Sequence, residues 1–436
     1  MSGETIVVGL GKSNLAVVQY LLQKGISPVV VDTRENPPLK AELPNNVEFR
    51  SGSLDSFGQL FSGAKTLVTG PGVPVSSPAI AQAASCGVEV IGDIELFVRE
   101  AGVPIVGITG ANGKSTVTTL VYLMGKKAGI KTGIGGNIGI PALSLLQDPC
   151  DLYVLELSSF QLETTRSLHA KAATILNVTE DHMDRYDFDI EKYAAAKRII
   201  YEGAEHLVYN REDQRTVPEN GNMVSFGSDS QEYGLLTENG ETFLTKSGRK
   251  VMSASDLKIV GRHNQMNALA AMALSDAAGI PENAQISVLR EFTGLEHRCQ
   301  LVADINGVRY YNDSKATNVG STLAAVNGLS CSIPGKILLL AGGIGKGQNF
   351  APVGELLKDQ VKMMYCFGRD GDQLLKLGNN TCSCKDMQEA LTLASQAADP
   401  GDAVLLAPAC ASMDMFKNFE ERGEVFVRMV KELGSR

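Results

Sequence analysis

The feature that most constrains this chain is Val106-Gly107-Ile108-Thr109-Gly110-Ala111-Asn112-Gly113-Lys114-Ser115-Thr116, an apolar run passing through a glycine-rich turn into a helical segment. Glycines let backbone N–H groups close around phosphate oxygens, a lysine adds a cation, and a serine hydroxyl can ligate Mg²⁺. The segment that follows, V-T-T-L-V-Y-L-M, aims a helix N-terminus at the same anion. Ile108 stands where the Walker pattern has its first glycine, so the loop is the shortened form T-G-x-x-G-K-S-T. Gly110, Asn112, Gly113, Lys114, Ser115 and Thr116 are therefore candidate contacts for a nucleoside triphosphate.

A chain of 436 residues is about three domains long by the usual size of a domain. With 44% hydrophobic and 20% charged residues it can build real cores. The formal net charge of −9 argues against a nucleic-acid or anionic-membrane surface. No apolar run is long enough to span a membrane. The start, M-S-G-E-T-I-V-V, enters a strand without a basic and apolar leader. These features point to the cytoplasm. The eight cysteines are scattered, only Cys382 and Cys384 being close neighbours, and are expected as reduced thiols.

Strand and helix patterns alternate in three blocks. In residues 1–92, Thr5–Val8 and Ser27–Val31 read as strands flanking an amphipathic helix at Leu15–Lys24. Gly9 and Gly11, with Asp32 about twenty residues on, approach a dinucleotide fingerprint. Asn14 replaces the third glycine, so NAD is weakly supported. The wider expectation is that the Gly9–Ser13 turn receives a diphosphate or another anion, with Thr33 and Arg34 as further donors; a purely structural module is the alternative. A strand at Lys65–Val68 runs into Thr69-Gly70-Pro71-Gly72-Val73 on the carboxyl edge, where open parallel sheets bind ligands.

In residues 93–297, the run Gly133–Gly139 is expected as a backbone-donor loop. The strand Leu152–Leu155 delivers Glu156, an acid beside a phosphate loop and so a candidate metal ligand. Ala173–Asn177 leads to Thr179-Glu180-Asp181-His182, in which His182 is a second candidate. A helix at Ile190–Glu202 carries Lys197, which by sequence alone is an ordinary surface lysine. Short alternating strands from about 206 to 260 suggest a β-rich extension. The helix after Gly261 places Asn264 and Asn267 on one face, either as exposed polar groups or as a pair for an adenine edge or ribose.

In residues 298–436, Glu296-His297-Arg298 suggests a hinge and Gly307 a hairpin. Tyr310 to Asn318 forms a polar knot before a helix. Strands at Ile337–Leu340, Met363–Phe367 and Ala403–Leu406 follow, the first ending in a glycine loop with Lys346 and the last in Pro408 to Phe419. Lys346 is either an anion ligand or a solvated charge. The expected fold is α/β with three domains: N-terminal and Rossmann-like (1–92), central and P-loop ATPase-like with a mainly parallel sheet (93–297), and C-terminal and Rossmann-like (298–436).

The internal T-G-x-x-G-K-S-T loop and the N-D-S-K-A-T-N knot resemble the Mur ligase family of ATP-dependent amide-bond-forming enzymes, over essentially the whole chain. E-L-S-S-F-Q-L-E, N-V-T-E-D-H-M-D-R-Y, G-D-I-E-L-F and P-A-C-A-S-x-D-x-F-K-N-F-E-x-R-G are most similar to the branch that joins D-glutamate to UDP-N-acetylmuramoyl-L-alanine for peptidoglycan. The resemblance implies these two small-molecule substrates, ATP and two Mg²⁺ ions. It implies that Ser13, Thr33, Arg34 and Gly72 hold the uridine diphosphate, with Asn137, Ser158 and Gln161 along the muramoyl or nucleotide path. Lys114, Glu156, His182 and Lys197 become the expected catalytic set, with Ser115, Glu156, His182 and a carbamylated Lys197 as metal ligands. Asn264, Asn267, Arg298 and Asp313 would contact adenosine or phosphates. Lys315, Thr317, Lys346, Ser412 and Phe419 would receive D-glutamate.

The implied chemistry activates a carboxylate as an acyl phosphate, which the D-glutamate amine attacks through a tetrahedral intermediate, without a covalent enzyme nucleophile. The protein is expected to act as a monomer, without nucleic acid or membrane insertion. Alternatives are a ligase of the same family with another acceptor, or a non-catalytic nucleotide-binding protein on the same fold.

Overall fold

The computed structural model describes residues 5–259, 261–330 and 332–434; residues 1–4, where a leader would begin, and Cys331 lie outside the described residues. The first sheet contains β1 (Thr5–Val8), β2 (Val29–Asp32), β3 (Glu48–Ser51), β4 (Thr66–Thr69) and β5 (Glu89–Ile91) in the order β3-β2-β1-β4-β5, with every pairing parallel. Its central strands are short runs of valine, isoleucine and leucine buried on both faces, as parallel strands covered by helices must be.

Among the described residues the central sheet has nine strands: β6 (Ile105–Thr109), β7 (Thr132–Gly136), β8 (Leu152–Glu156), β9 (Ala172–Ile175), β10 (Leu207–Asn210), β11 (Met223–Phe226), β12 (Tyr233–Glu238), β13 (Glu241–Lys246) and β14 (Arg249–Ser253). Their order, β14-β13-β12-β11-β10-β9-β6-β8-β7, puts β6 between β8 and β9, so the phosphate loop, Glu156 and the His182 segment leave one carboxyl edge together. The strands expected after residue 206 continue this sheet, as the parallel β10 and β11 and then the antiparallel meander β12 to β14.

The stretch from Gly133, expected as a loop, is in strand through Gly136, at the sheet's edge. Glycine serves close packing here: a Cβ at Gly133 would lie 2.8 Å from the Tyr153 ring, and one at Gly136 would lie 2.4 Å from Glu156 O.

The last sheet contains β15 (Gln300–Ile305), β16 (Val308–Asn312), β17 (Ile337–Gly342), β18 (Val361–Phe367), β19 (Thr381–Ser383) and β20 (Ala403–Leu406), ordered β15-β16-β20-β17-β18-β19. Among the described strands of this sheet only β15 runs antiparallel, through a turn in which Asn306 and Gly307 both have positive φ. This is the turn geometry whose twist matches a hairpin.

Cores divide the molecule unevenly. One apolar cluster joins Val7, Val17 and Val30 to Phe97, Leu145, Tyr153 and Ile175, so the first two sheets share a continuous interior. The third sheet buries its two faces in separate clusters. Its links to the central unit around the phosphate loop are mainly polar.

Candidate active site

β6 ends at Thr109, and the chain turns through Gly110 (φ 147°) and Gly113 (φ 86°) into the helix Lys114–Lys127. A Cβ at Gly113 would lie 2.4 Å from Asn267 Oδ1, so both conformation and space require glycine. The helix N-terminus opens on a backbone-lined seat for an anion. Lys114 folds over it, with Nζ 2.8 Å from Gly110 O and 2.9 Å from Ala111 O. Burial holds its ammonium below the usual lysine pKa, with Glu156 and Asp181 opposing. Asn112 N donates to Asn177 Oδ1 at 2.8 Å, and Asn177 Nδ2 donates back to Asn112 O at 3.0 Å, which clamps the loop to the segment after β9.

The Ser115 hydroxyl donates to Glu156 Oε2 at 2.6 Å, and Asn137 Nδ2 donates to Oε1 at 2.7 Å. Burial pushes the Glu156 carboxyl up, but the Lys114 charge and these hydrogen bonds outweigh it and hold the group below its ordinary range. A hydroxyl beside an ionised carboxylate supplies hard oxygen donors. The pair fits Mg²⁺, which takes one or two protein oxygens and fills its shell with water and phosphate.

His182 Nε2 lies 3.7 Å from Asp181 Oδ2, and its ring stands edge-on to Phe160. Burial, against the pull of Asp181, lowers its pKa to about 4, leaving a neutral imidazole. Lys197 is not the surface residue the sequence suggested. It is 1% exposed, with Nζ 3.1 Å from Gly110 O and 4.3 Å above the Tyr193 ring. Burial holds its amine far below the usual range. An amine offers Mg²⁺ no oxygen, so Lys197 fits a metal only after conversion to a carbamate. Among the described residues no three His, Cys, Asp or Glu side chains gather as metal ligands.

The third sheet closes the site. Arg298 Nη2 donates to Ser115 Oγ at 2.9 Å. Asn264, Asn267, Arg298, Asp313 and Lys315 line a cavity of about 240 Å³ that also has apolar walls, Leu176, Phe226 and Ile259. Burial raises the Asp313 carboxyl to about 7, and burial lowers the Lys315 amine to about 8. The Lys315 ammonium stands 3.8 Å over the Phe419 ring.

Lys346 is neither free nor solvated: Nζ donates to Asp181 Oδ1 at 2.8 Å, and Asn318 Nδ2 reaches Asp181 Oδ2 at 3.3 Å. Burial favours the neutral Asp181 carboxyl, but Lys346 and the other cations win, placing its pKa at about 2. Ser412 is buried, its carbonyl accepting from Met415 and Phe416, and Thr317 N donates to Lys315 O at 2.7 Å.

A separate cleft of about 470 Å³ on the first sheet is lined by Ser13, Thr33, Arg34 and Gly72. Asp32, the acid of the apparent dinucleotide pattern, accepts from Leu10 N at 2.7 Å and from Arg34 Nη2 at 2.8 Å. Its carboxylate is already engaged there. Asn14 Nδ2 donates to Val8 O at 2.9 Å and Gly9 O at 2.7 Å. Asn137, Ser158 and Gln161 are not among the residues lining this cleft; they follow β7 and β8, with Asn137 on Glu156 and Ser158 and Gln161 in a capping box. Sequence reasoning missed Asp181, Asn177 and Asn318. Asp181, beside His182 at a strand end, and Asn318, the last residue of the polar knot, carried a signal, whereas Asn177 carried none.

Three family descriptions match the chain: "Mur ligase MurD-like, N-terminal domain" over residues 3–92, "Mur ligase middle domain" over 108–275 and "Mur ligase, glutamate ligase domain" over 297–410. The chain is 52% identical over 433 residues to the UDP-N-acetylmuramoylalanine--D-glutamate ligase of Escherichia coli (strain K12), covering 98% of each. It has the same identity and coverage with that of Shigella dysenteriae serotype 1 (strain Sd197). Among solved structures, the MurF ligase from Thermotoga maritima in complex with ADP has a similar fold (TM-score 0.63, 17% identity, 99% of this chain and 96% of that one). So does UDP-N-acetylmuramate-alanine ligase from the same organism (TM-score 0.62, 19% identity, 98% and 99%). Three domains, a shortened phosphate loop meeting an acid and an arginine, and full-length identity of this order lead to one assignment: the chain belongs to the Mur ligase family.

Proposed function

We infer that this chain is an ATP-dependent ligase that adds D-glutamate to UDP-N-acetylmuramoyl-L-alanine in peptidoglycan precursor synthesis, releasing ADP and phosphate. The relatives that share 52% of its residues carry that activity in their name. The observation that carries the inference is the position of Ser115, whose hydroxyl is held between Glu156 of the central sheet and Arg298 at the start of the third domain.

An amide cannot form directly from a carboxylate, because oxide is a poor leaving group. Phosphorylating the carboxylate supplies a better one, and the resulting acyl phosphate is open to the amine. In this reading the backbone donors from Gly110 to Thr116, with Lys114 and Arg298, bind the phosphates and neutralise the charge that develops on the transferred group. Asn264, Asn267 and Asp313 face the adenosine in the cavity whose apolar walls suit a flat heterocycle.

Ser115 and Glu156 hold one Mg²⁺; His182 and the carbamate of Lys197 hold a second. When bound, the ions supply further charge neutralisation and orient the phosphates. The neutral amine of Lys197 is the form that adds CO₂, giving the carbamate and a proton. Ser13, Thr33, Arg34 and Gly72 receive the uridine diphosphate, with Asn137, Ser158 and Gln161 between that cleft and the reacting carboxylate. Lys315, Thr317, Lys346, Ser412 and Phe419 receive D-glutamate, for which cations and hydroxyls are the appropriate donors. Lys346 would exchange its bond to Asp181 for a substrate carboxylate.

We propose domain limits at 1–92, 93–297 and 298–436, supported by a first sheet that ends at Ile91, a central one that runs from Ile105 to Ser253 and a last one that begins at Gln300. No described helix is long and apolar enough to cross a membrane; a monomer working in the cytoplasm is the accompanying proposal.

Phosphate release from the purified protein with ATP, Mg²⁺ and UDP-N-acetylmuramoyl-L-alanine tests the inference. Turnover is expected with D-glutamate and not with L-glutamate or without an amino acid. Turnover indifferent to the amino acid would overturn the acceptor assignment.

A further inference from the structure

Asn318 stands directly before the helix Val319–Ser330, in the segment that follows β16, and is 3% exposed. Its side chain joins three segments. Nδ2 donates to Asn112 Oδ1 in the phosphate loop at 3.2 Å and to Asp181 Oδ2 after β9 at 3.3 Å, and Oδ1 accepts from Ser321 N at 2.8 Å. A primary amide has two N–H donors, and these contacts use both.

The helical turn that follows is seated against the same loop. A Cβ at Gly320 would lie 3.2 Å from Asn112 Nδ2 and 2.9 Å from Thr179 Oγ1, so a side chain there would crowd both. Val319 N donates to Gln348 Oε1 at 2.8 Å, which fixes the segment after Lys346. Lys346 Nζ itself donates to Asp181 Oδ1 at 2.8 Å. One asparagine therefore stands between the phosphate loop and the carboxylate that holds Lys346.

Capping the helix needs only an acceptor, which serine or aspartate supplies as well. The two donated bonds are what the amide adds, and both cross to the central unit. We propose that Asn318 is a positioning residue for amide formation: by holding Asn112 and Asp181 together, it sets the place from which Lys346 meets the acceptor's carboxylate, relative to the phosphates that the loop holds. Such spacing matters because the amine must arrive in line with the acyl phosphate carbon, and small displacements of reacting groups lower the rate steeply. The inference rests on Lys346 receiving D-glutamate.

Steady-state kinetics of Asn318→Ser, Asn318→Asp, Lys346→Ala and the Asn318→Ser/Lys346→Ala double variant test both levels. Asn318→Ser keeps the cap and loses both amide donors. It is expected to raise KM for D-glutamate about tenfold, the effect of a lost buried hydrogen bond. KM for ATP should not change, because Asn112 Oδ1 still accepts from Ser321 and the loop backbone stays bonded to Asn177. Asn318→Asp keeps the shape and the cap but sets a second carboxylate against Asp181, so KM for D-glutamate should rise at least as much; a residue that only caps the helix would tolerate it. The double variant should be no worse than the more affected single one, because Asn318 acts through Lys346. An unchanged KM for D-glutamate in Asn318→Ser, equal rises in both KM values, or additive effects would overturn the proposal. If Lys346→Ala also leaves KM for D-glutamate untouched, the acceptor assignment fails and takes the proposal with it. The aspartate variant keeps the test decisive should Asn318→Ser not fold.

Discussion

Arg298 donates to the Ser115 hydroxyl at 2.9 Å across 183 positions of sequence. That hydroxyl donates in turn to Glu156 at 2.6 Å, so its single hydrogen has one direction and its oxygen faces a guanidinium. The contact ties the segment just before β15 to the first turn of the phosphate-loop helix. Burial lowers the arginine's pKa, with Glu156 and Asp313 opposing. The helix dipole disfavours a cation at this N-terminus, so Glu156 and Asp313 offset the buried guanidinium, and a triphosphate would add to that attraction.

Replacing Arg298 therefore should cost nucleotide affinity more than fold. A charged hydrogen bond is worth roughly 1.5–3 kcal/mol, so Arg298→Ala is expected to weaken binding of a non-hydrolysable ATP analogue by roughly ten- to a hundredfold. Calorimetric titration of parent and variant checks this, with Arg298→Lys expected to fall between them. Unaltered affinity would remove Arg298 from the nucleotide site.

Lys114→Ala removes the side-chain cation that bends over the loop carbonyls of Gly110 and Ala111. Phosphate release is expected to fall by about 10³-fold, the usual effect of deleting a preorganised transition-state donor. The urea midpoint should change little, because relief of one buried charge is set against loss of the cation that holds Glu156 ionised. A variant that keeps substantial turnover would place the phosphate elsewhere.

Gly113→Ala combines two penalties. The residue sits at φ 86°, and the new methyl would meet Asn267 Oδ1 at 2.4 Å. Left-handed strain and overpacking together are expected to destabilise the protein by about 2–3 kcal/mol. Because Asn267 must move, affinity for the ATP analogue should fall as well. Chemical denaturation and the same titration read the two effects separately.

His263 provides a pH signature. Burial first and the Arg298 charge second lower its pKa from 6.5 to about 4. Below pH 6.5 the unfolded chain takes up a proton that the folded protein refuses until about pH 4, so stability falls as pH drops through this window. The loss between pH 7 and pH 5 should be about 2 kcal/mol from this group. Urea midpoints of the parent and His263→Gln at both pH values check it: the variant should show a correspondingly shallower acid loss, and parallel curves would contradict the buried neutral state.

Much of the site was legible because its residues lie where short sequence rules apply. Gly110, Gly113, Lys114 and Ser115 are adjacent along the chain and act through the backbone of one turn, so their order announces their geometry. Glu156 and His182 could be picked out because parallel strands deliver their ends to a common edge. Lys197 could not. It lies on the helix Ile190–Arg198, whose alanine-rich turns give little periodicity to tell the inward face from the outward one. Gly133 to Gly136 misled in the opposite way, since local propensity disfavours glycine in strands while close packing against Tyr153 and Glu156 demands it.

Sequence by itself determined the three α/β units, the anion-binding turn and the carboxyl edges that carry the polar residues, because these depend on hydrophobic period and on residues close together in the chain. Only the tertiary structure decided which distant groups meet. Asp181 pairs with Lys346, Ser115 is shared by Glu156 and Arg298, and Gln161 reaches the buried Asp93 carboxyl. Those pairings, and the burial that shifts their proton affinities, arise from how three sheets are set against one another, for which no local pattern of side chains contains the geometry.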